Sequence, residues 1–205
     1  MPTDFSEFDW DLAVFTNRRH LPHLEQDGGI HFTTFRLADS LPWEKVRLWK
    51  YERDQWLLAN PPPHTGEQLR VLCQLVPQRV HKYLDAGHGA CLLCHSSAQD
   101  IVEQVLRFGD CTTYRLGNFV IMPNHVHALV QPITGRFKDI AQAWKSISSR
   151  RINKSLGRHG QLWQEEPFSH ILRSHQRLEA ARQYIRDNPK YLPPGTYRLG
   201  CGSLA

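Results

Sequence analysis

The stretch "TTYRLGNFVIMPNHVHALVQP", residues 112–132, decides the fold. Two runs rich in β-branched and aromatic residues meet at Pro123 and Asn124, residue types that turn a chain, so the stretch reads as a β-hairpin. In its second half His125 and His127 stand at i and i+2 and share one face of the strand. Val126, Ala128 and Val130 face the other way, into a core. Two readings of the histidine pair are open. The imidazoles are hydrogen-bonded strand residues, or they converge on a divalent metal, for which neutral histidine is the commonest ligand and a third protein ligand is needed.

Outward from the hairpin, helices and strands alternate. Upstream, "IHFTTFRL" after Gly28 and Gly29 alternates with strand period. Pro42 sits at a helix start, and "WEKVRLWKYERDQWLLA" runs helically with Trp43, Val46, Trp49 or Lys50, Arg53 and Leu57 near one stripe. "NPPPHTG" breaks the chain, and "EQLRVLCQLVPQRVHKYLD" reads as a second helix with a kink at Pro77. "ACLLC" reads as a short apolar strand and "SSAQDIVEQVLRFG" as a helix with Ser97 at its N-cap. Downstream, a basic helix runs from about Lys138 to Leu156, with Phe137, Ile140, Ala141, Trp144 and Ile147 on its apolar face. "GQLWQEEPFSHILR" reads as turn and extended chain, and "SHQRLEAARQYIRDN" as a helix capped by Ser174 and stopped by Pro189. This order fits an α+β fold, a ferredoxin-like sandwich with a mostly antiparallel sheet. A polar lead-in is expected over 1–28, one domain over 29–195 and a tail over 196–205.

The chain has 205 residues, 40% hydrophobic and 22% charged, the composition of a soluble globular protein. No run approaches the length of a membrane span, and the acidic, polar-broken start lacks the pattern of a signal peptide, so a cytoplasmic, nucleoid-associated location is expected. The five cysteines are an odd, scattered set and read as reduced thiols. The net charge of +5 is local. Between Gly135 and Gly160 seven Lys or Arg face a single acid, Asp139, so this stretch outweighs the charge of the whole chain. Such clustering suits a polyanionic partner.

Alternative uses of the motifs are narrow. A cupin-type site wants a glutamate shortly after the second histidine, where residues 130–132 read Val-Gln-Pro. A barrel hydrolase needs about 250 residues. "CLLCH" at 91–95 spells a haem-attachment pattern and half a zinc site, but Cys91, Cys94 and His95 lack a second close Cys/His pair. A buried strand with incidental thiols is the plainer reading.

"ARQYIRDNPKYL" places Tyr184 and Asn188 at i and i+4, one turn apart on one helix face. Tyr184 is either a partly buried core residue or, if this face meets the histidines, a nucleophile beside Asn188 as a hard third ligand.

Together, "MPNHVH" and the downstream "YIRDNP" resemble the REP-associated tyrosine transposases, relatives of single-tyrosine insertion-sequence transposases within the HUH nucleases. "FTTFRLADSLP", "LDAGHGACLL", "WKSISSRRIN" and "GQLWQEEPF" resemble the other recurrent blocks, so the likeness spans roughly residues 30–195 in order. It implies a metal-dependent single-stranded DNA endonuclease and strand transferase acting on hairpin-containing repeats through a 5′-phosphotyrosine. His125, His127 and Asn188 would then hold Mg²⁺ or Mn²⁺, and Tyr184 would be the nucleophile. Two nitrogens and one oxygen lean towards Mn²⁺, availability towards Mg²⁺. Phosphate-backbone contacts are expected from Lys145, Arg150, Arg151 and Arg173. Trp144 and Trp163 are aromatics able to stack on unpaired bases, though Trp144 lies in the apolar stripe. One departure is Ser169, where members often carry Asp, and it bears on a supporting hydrogen bond. A monomer and a homodimer are both compatible. The alternative class is a non-cleaving nucleic-acid-binding regulator on the same fold.

Overall fold

The computed structural model describes residues 28–68, 71, 83–84, 86–165 and 167–204, and the backbone alone at 15–18 and 22–25. The helix read over 67–85, with its kink at Pro77, lies mostly outside the described residues. Within the polar lead-in, β1 (Phe15–Arg18) and β2 (Pro22–Glu25) pair antiparallel.

The hairpin forms as read: β4 (Tyr114–Ile121) and β5 (His125–Pro132) pair antiparallel, and Met122 N–H donates to His125 O across the turn at 2.8 Å. The register shifts between Leu116 and Phe119, where Gly117 lies so close to Leu129 that a Cβ would come within 2.7 Å of the leucine Cβ. A side chain there would force the strands apart.

Strand β3 (His31–Arg36) covers the other edge of β5, β6 (Phe168–Ile171) pairs with β3, and β7 (Arg198–Cys201) pairs with β4. The sheet order is β6-β3-β5-β4-β7, antiparallel throughout. With helices α2 (Ser96–Arg107) and α3 (Phe137–Ser155), the order β3-α2-β4-β5-α3-β6 is a ferredoxin-like βαββαβ core. Its strands run fourth, first, third, second across the sheet. The fold is therefore α+β, with an open sheet. Strand β7, from residues read as a tail, adds a fifth strand.

Alternation along β3 and β5 sends side chains to two faces. On one face Phe35, Leu37, Val126, Ala128 and Val130 meet the apolar stripe Ala98, Ile101, Val102, Val105 and Leu106 of α2, and Phe137, Ile140, Ala141, Trp144 and Ile152 of α3. On the other, Phe32, Val120 and Leu129 meet Leu178 and Ile185 of α4 (His175–Asp187). Helix α4 starts where Ser174 Oγ accepts from Arg177 N–H at 3.3 Å, the cap the sequence indicates.

Some local expectations are corrected. "ACLLC" is not a strand but a 3₁₀ turn, Leu92–Cys94, entered with Cys91 in left-handed backbone at φ 48°. Leu93 is fully buried and its N–H donates to Pro123 O at 3.0 Å, so the motif buttresses the hairpin turn. Helix α2 is preceded by His95, not capped by Ser97. Along α3 the buried stripe passes through Ser148 and on to Ile152, leaving Ile147 exposed; the Ser148 hydroxyl donates to Trp144 O at 2.6 Å. Helix α1 (Trp43–Ala59) forms, but of its residues only Trp49 is buried, against Leu41 and Leu84.

Asp110 anchors the chain end. Its carboxylate accepts from Leu116 N–H at 2.8 Å, Ser203 N–H at 2.9 Å and Ser203 Oγ at 2.5 Å. Burial works to raise its pKa, but these donors outweigh it and hold the carboxyl below its ordinary value. With the folded pKa below the unfolded one, the contribution is present above about pH 4 and lost as the pH falls through the folded value. Amide exchange over 198–204 should accelerate first on acidification, and Asp110→Asn should remove that acid step.

Candidate active site

The site is assembled by register. Thr34 pairs with His127 and Arg36 with His125 across the β3–β5 ladder, so all four side chains start from one face. Both histidines are completely buried, and their Nε2 atoms lie 3.0 Å apart. Tyr184 of α4 closes over them: its ring meets the His127 ring edge-on at 5.3 Å between centroids and Phe32 at 5.9 Å. Asn188 follows one turn later, its N–H bonded to Tyr184 O at 3.0 Å.

The outer ring nitrogens are fixed from behind. Asn124 Nδ2 donates to His88 O at 2.9 Å, which turns Asn124 Oδ1 towards His125 Nδ1 at 2.8 Å. An amide oxygen only accepts, so His125 carries its proton on Nδ1, which leaves its Nε2 as an acceptor facing His127 Nε2. His127 Nδ1 meets Thr34 Oγ1 at 2.7 Å, and a hydroxyl both donates and accepts. Without a cation His127 Nε2–H donates to His125 Nε2. When Thr34 accepts from Nδ1–H instead, both Nε2 lone pairs are available. Asn124 and Thr34 were not singled out in the sequence as site residues. Asn124→Ala should weaken divalent-metal binding about 10–100-fold, the usual cost of losing a partner behind a metal-binding histidine. Calorimetric Mn²⁺ titration would measure it.

The residues fit a hard divalent cation. Asn188 Oδ1 is buried and has no hydrogen-bond partner, an expensive state for an amide oxygen unless something else satisfies it. Among the described residues no three His, Cys, Asp or Glu side chains gather as a metal site. The buried Asn188 Oδ1 is an oxygen able to complete the histidine pair.

The four cations expected to bind DNA are not gathered here. Lys145, Arg150 and Arg151 lie on α3, the layer on the opposite side of the sheet from the histidines. Lys145 Nζ donates to Glu165 O at 2.6 Å, and Arg151 to Gln104 Oε1 at 2.5 Å beside an apolar cavity of about 740 Å³ between α2 and α3. Arg173 lies between β6 and α4. Trp163 is buried against Phe35 and donates to Ser148 Oγ at 2.9 Å, so it is a core residue and does not stack on bases, and Trp144 is core likewise. Ser169 pairs with Thr33, whose neighbours Phe32 and Thr34 lie on the histidine face, so its side chain belongs to the other face. The departure at Ser169 leaves the histidine site untouched.

Residues 94–188, from the 3₁₀ turn through Asn188, match the family described as Transposase IS200 like. No curated protein matches. Among solved structures, the REP-associated tyrosine transposase bound to a REP hairpin is similar at 14% identity and a TM-score of 0.42, over 85% of this chain and 72% of that one. Among the described residues no helix is long and apolar enough to cross a membrane.

Proposed function

We propose that this chain, whose residues 94–188 are those of an IS200-like transposase, is a metal-dependent endonuclease and strand transferase of single-stranded, hairpin-bearing DNA. The observation that carries the reading is the placement of Tyr184 against a buried pair of Nε2 atoms, with the partnerless Asn188 Oδ1 one turn further on.

His125, His127 and Asn188 would hold Mg²⁺ or Mn²⁺, which when bound neutralises the scissile phosphate and orients it for in-line attack. A phenol with a pKa near 10 is a weak nucleophile at neutral pH, so alignment carries much of the task. Tyr184 Oη attacks phosphorus and gives up its proton to solvent. The P–O3′ bond breaks, the 3′ oxygen gains a proton, and a 5′-phosphotyrosine remains. Because that ester retains the bond, an incoming 3′-hydroxyl reverses the step on a new strand without ATP. The basic α3 and Arg173 suit phosphate-backbone contacts whose affinity falls with salt.

A second reading, a nucleic-acid-binding regulator that does not cleave, shares the fold and the charge. The test is incubation with labelled hairpin DNA bearing unpaired flanks, with Mn²⁺ or EDTA, followed by a denaturing gel. Cleavage with a covalent adduct that EDTA suppresses is the expected result. DNA binding without an adduct would favour the regulator.

A further inference from the structure

We propose that Arg36 is a phosphate-binding residue of this site, its guanidinium gripping a non-bridging oxygen of the DNA phosphate presented to Tyr184. The proposal rests on reading the histidine face as a DNA-cleaving site, and it adds a group that neither the histidine pair nor the tyrosine helix reveals.

Position comes first. Arg36 is directly opposite His125 on the ladder, two residues on from Thr34, which supports His127. Neighbouring Phe35 and Leu37 point into the core on the other face, so the guanidinium stem leaves the strand on the histidine side. Beyond Arg36 the chain turns, and the turn holds the side chain: Arg36 Nη1 donates to Ser40 Oγ at 3.2 Å, while the fully buried Ser40 hydroxyl donates to Leu37 O at 2.7 Å. The fork is thus pre-positioned by a neutral group.

Charge supplies the second argument. Arg53, Arg107, Arg136, Arg182 and Arg198 each sit against a carboxylate. Arg36 is half-buried, and among the described residues no carboxylate pairs with it. Burial pulls its pKa down to about 10, so it stays charged at neutral pH, and among the described residues no anion offsets the lost hydration. A half-buried cation held by one hydroxyl beside a metal-type site is suited to an oxyanion that arrives with the substrate. A guanidinium fork matches phosphate geometry in a way an ammonium does not.

The test needs no cleavage. In a Tyr184→Phe background, fluorescence anisotropy would compare hairpin oligonucleotides in which each phosphate of the unpaired flank is replaced in turn by an uncharged methylphosphonate. With Arg36 present, one position should lose about tenfold or more in affinity. In Arg36→Gln the diester oligonucleotide should already bind that much more weakly, and the same substitution should cost nothing further. Arg36→Lys should fall between, which separates lost recognition from lost folding, and thermal melts would verify that each variant folds. If no position of the scan depends on Arg36, or if the two losses simply multiply, the proposal is overturned. Wild-type protein forming no adduct while the Arg36-dependent phosphate is present would instead overturn the cleavage reading and leave Arg36 as an anion-binding group.

Discussion

Tyr184→Phe is expected to abolish covalent capture and strand cleavage, a loss on the order of 10⁴-fold or more, the scale of removing a nucleophile. The substitution deletes one oxygen. The ring contacts to His127 and Phe32 survive it, so thermal stability should move by less than about 1 kcal/mol and hairpin binding should persist. A variant that binds and folds but neither cuts nor attaches would separate chemistry from recognition. Single-turnover cleavage, anisotropy and a thermal melt on the same preparation measure all three.

Asn188→Ala should act with opposite signs on stability and on activity. In the metal-free protein its Oδ1 is a buried acceptor without a partner, a state costing on the order of 1–3 kcal/mol. Truncation removes that cost and leaves a small void, so the metal-free melting temperature should stay the same or rise. Mn²⁺ raises the stability of whichever form it binds. The stabilisation seen in wild type should therefore shrink in Asn188→Ala, with metal affinity weakened about 10–100-fold, and cleavage should fall with it. An ordinary structural asparagine would give the reverse: a less stable metal-free protein and an unchanged response to Mn²⁺.

What the sequence made legible follows from range. The hairpin, the shared face of His125 and His127, the Ser174 cap and the i, i+4 placement of Tyr184 and Asn188 are local geometry, read directly from periodicity and capping. Partners set by long-range register were not readable. Thr34 meets His127 across 93 residues of chain, and Arg36 meets His125 only because β3 inserts beside β5. Asn124 is adjacent to His125, but its supporting role depends on the carbonyl of His88, in a loop whose place no local pattern gives. The short run "ACLLC" reads as a strand and forms a 3₁₀ turn for a physical reason. Two buried-type leucines suit a strand or a turn equally, and the deciding contact is Leu93 N–H to Pro123 O. Trp163 reads as an aromatic able to stack on unpaired bases, yet its indole nitrogen finds Ser148 and its ring finds Phe35 in the core.

Division of the molecule across its sheet also sharpens the account of DNA contact. The strongest cationic cluster rides on α3, behind the sheet, while the histidines lie in front, beneath Tyr184 of α4. Contacts on α3 therefore suit duplex or flank held at a distance from the chemistry. The cation proposed for the histidine face is Arg36, which pairs with His125 on the β3–β5 ladder.

The most direct test of the central claim is mass spectrometry of the adduct. Wild-type protein incubated with hairpin DNA and Mn²⁺ would be digested with nuclease and trypsin and its modified peptide sequenced. The expected product is a nucleotide joined through its 5′ phosphate to Tyr184, within the peptide running from Gln183 to Arg186. Attachment at any other residue, linkage through a 3′ phosphate, or cleaved DNA with no attached nucleotide would contradict it.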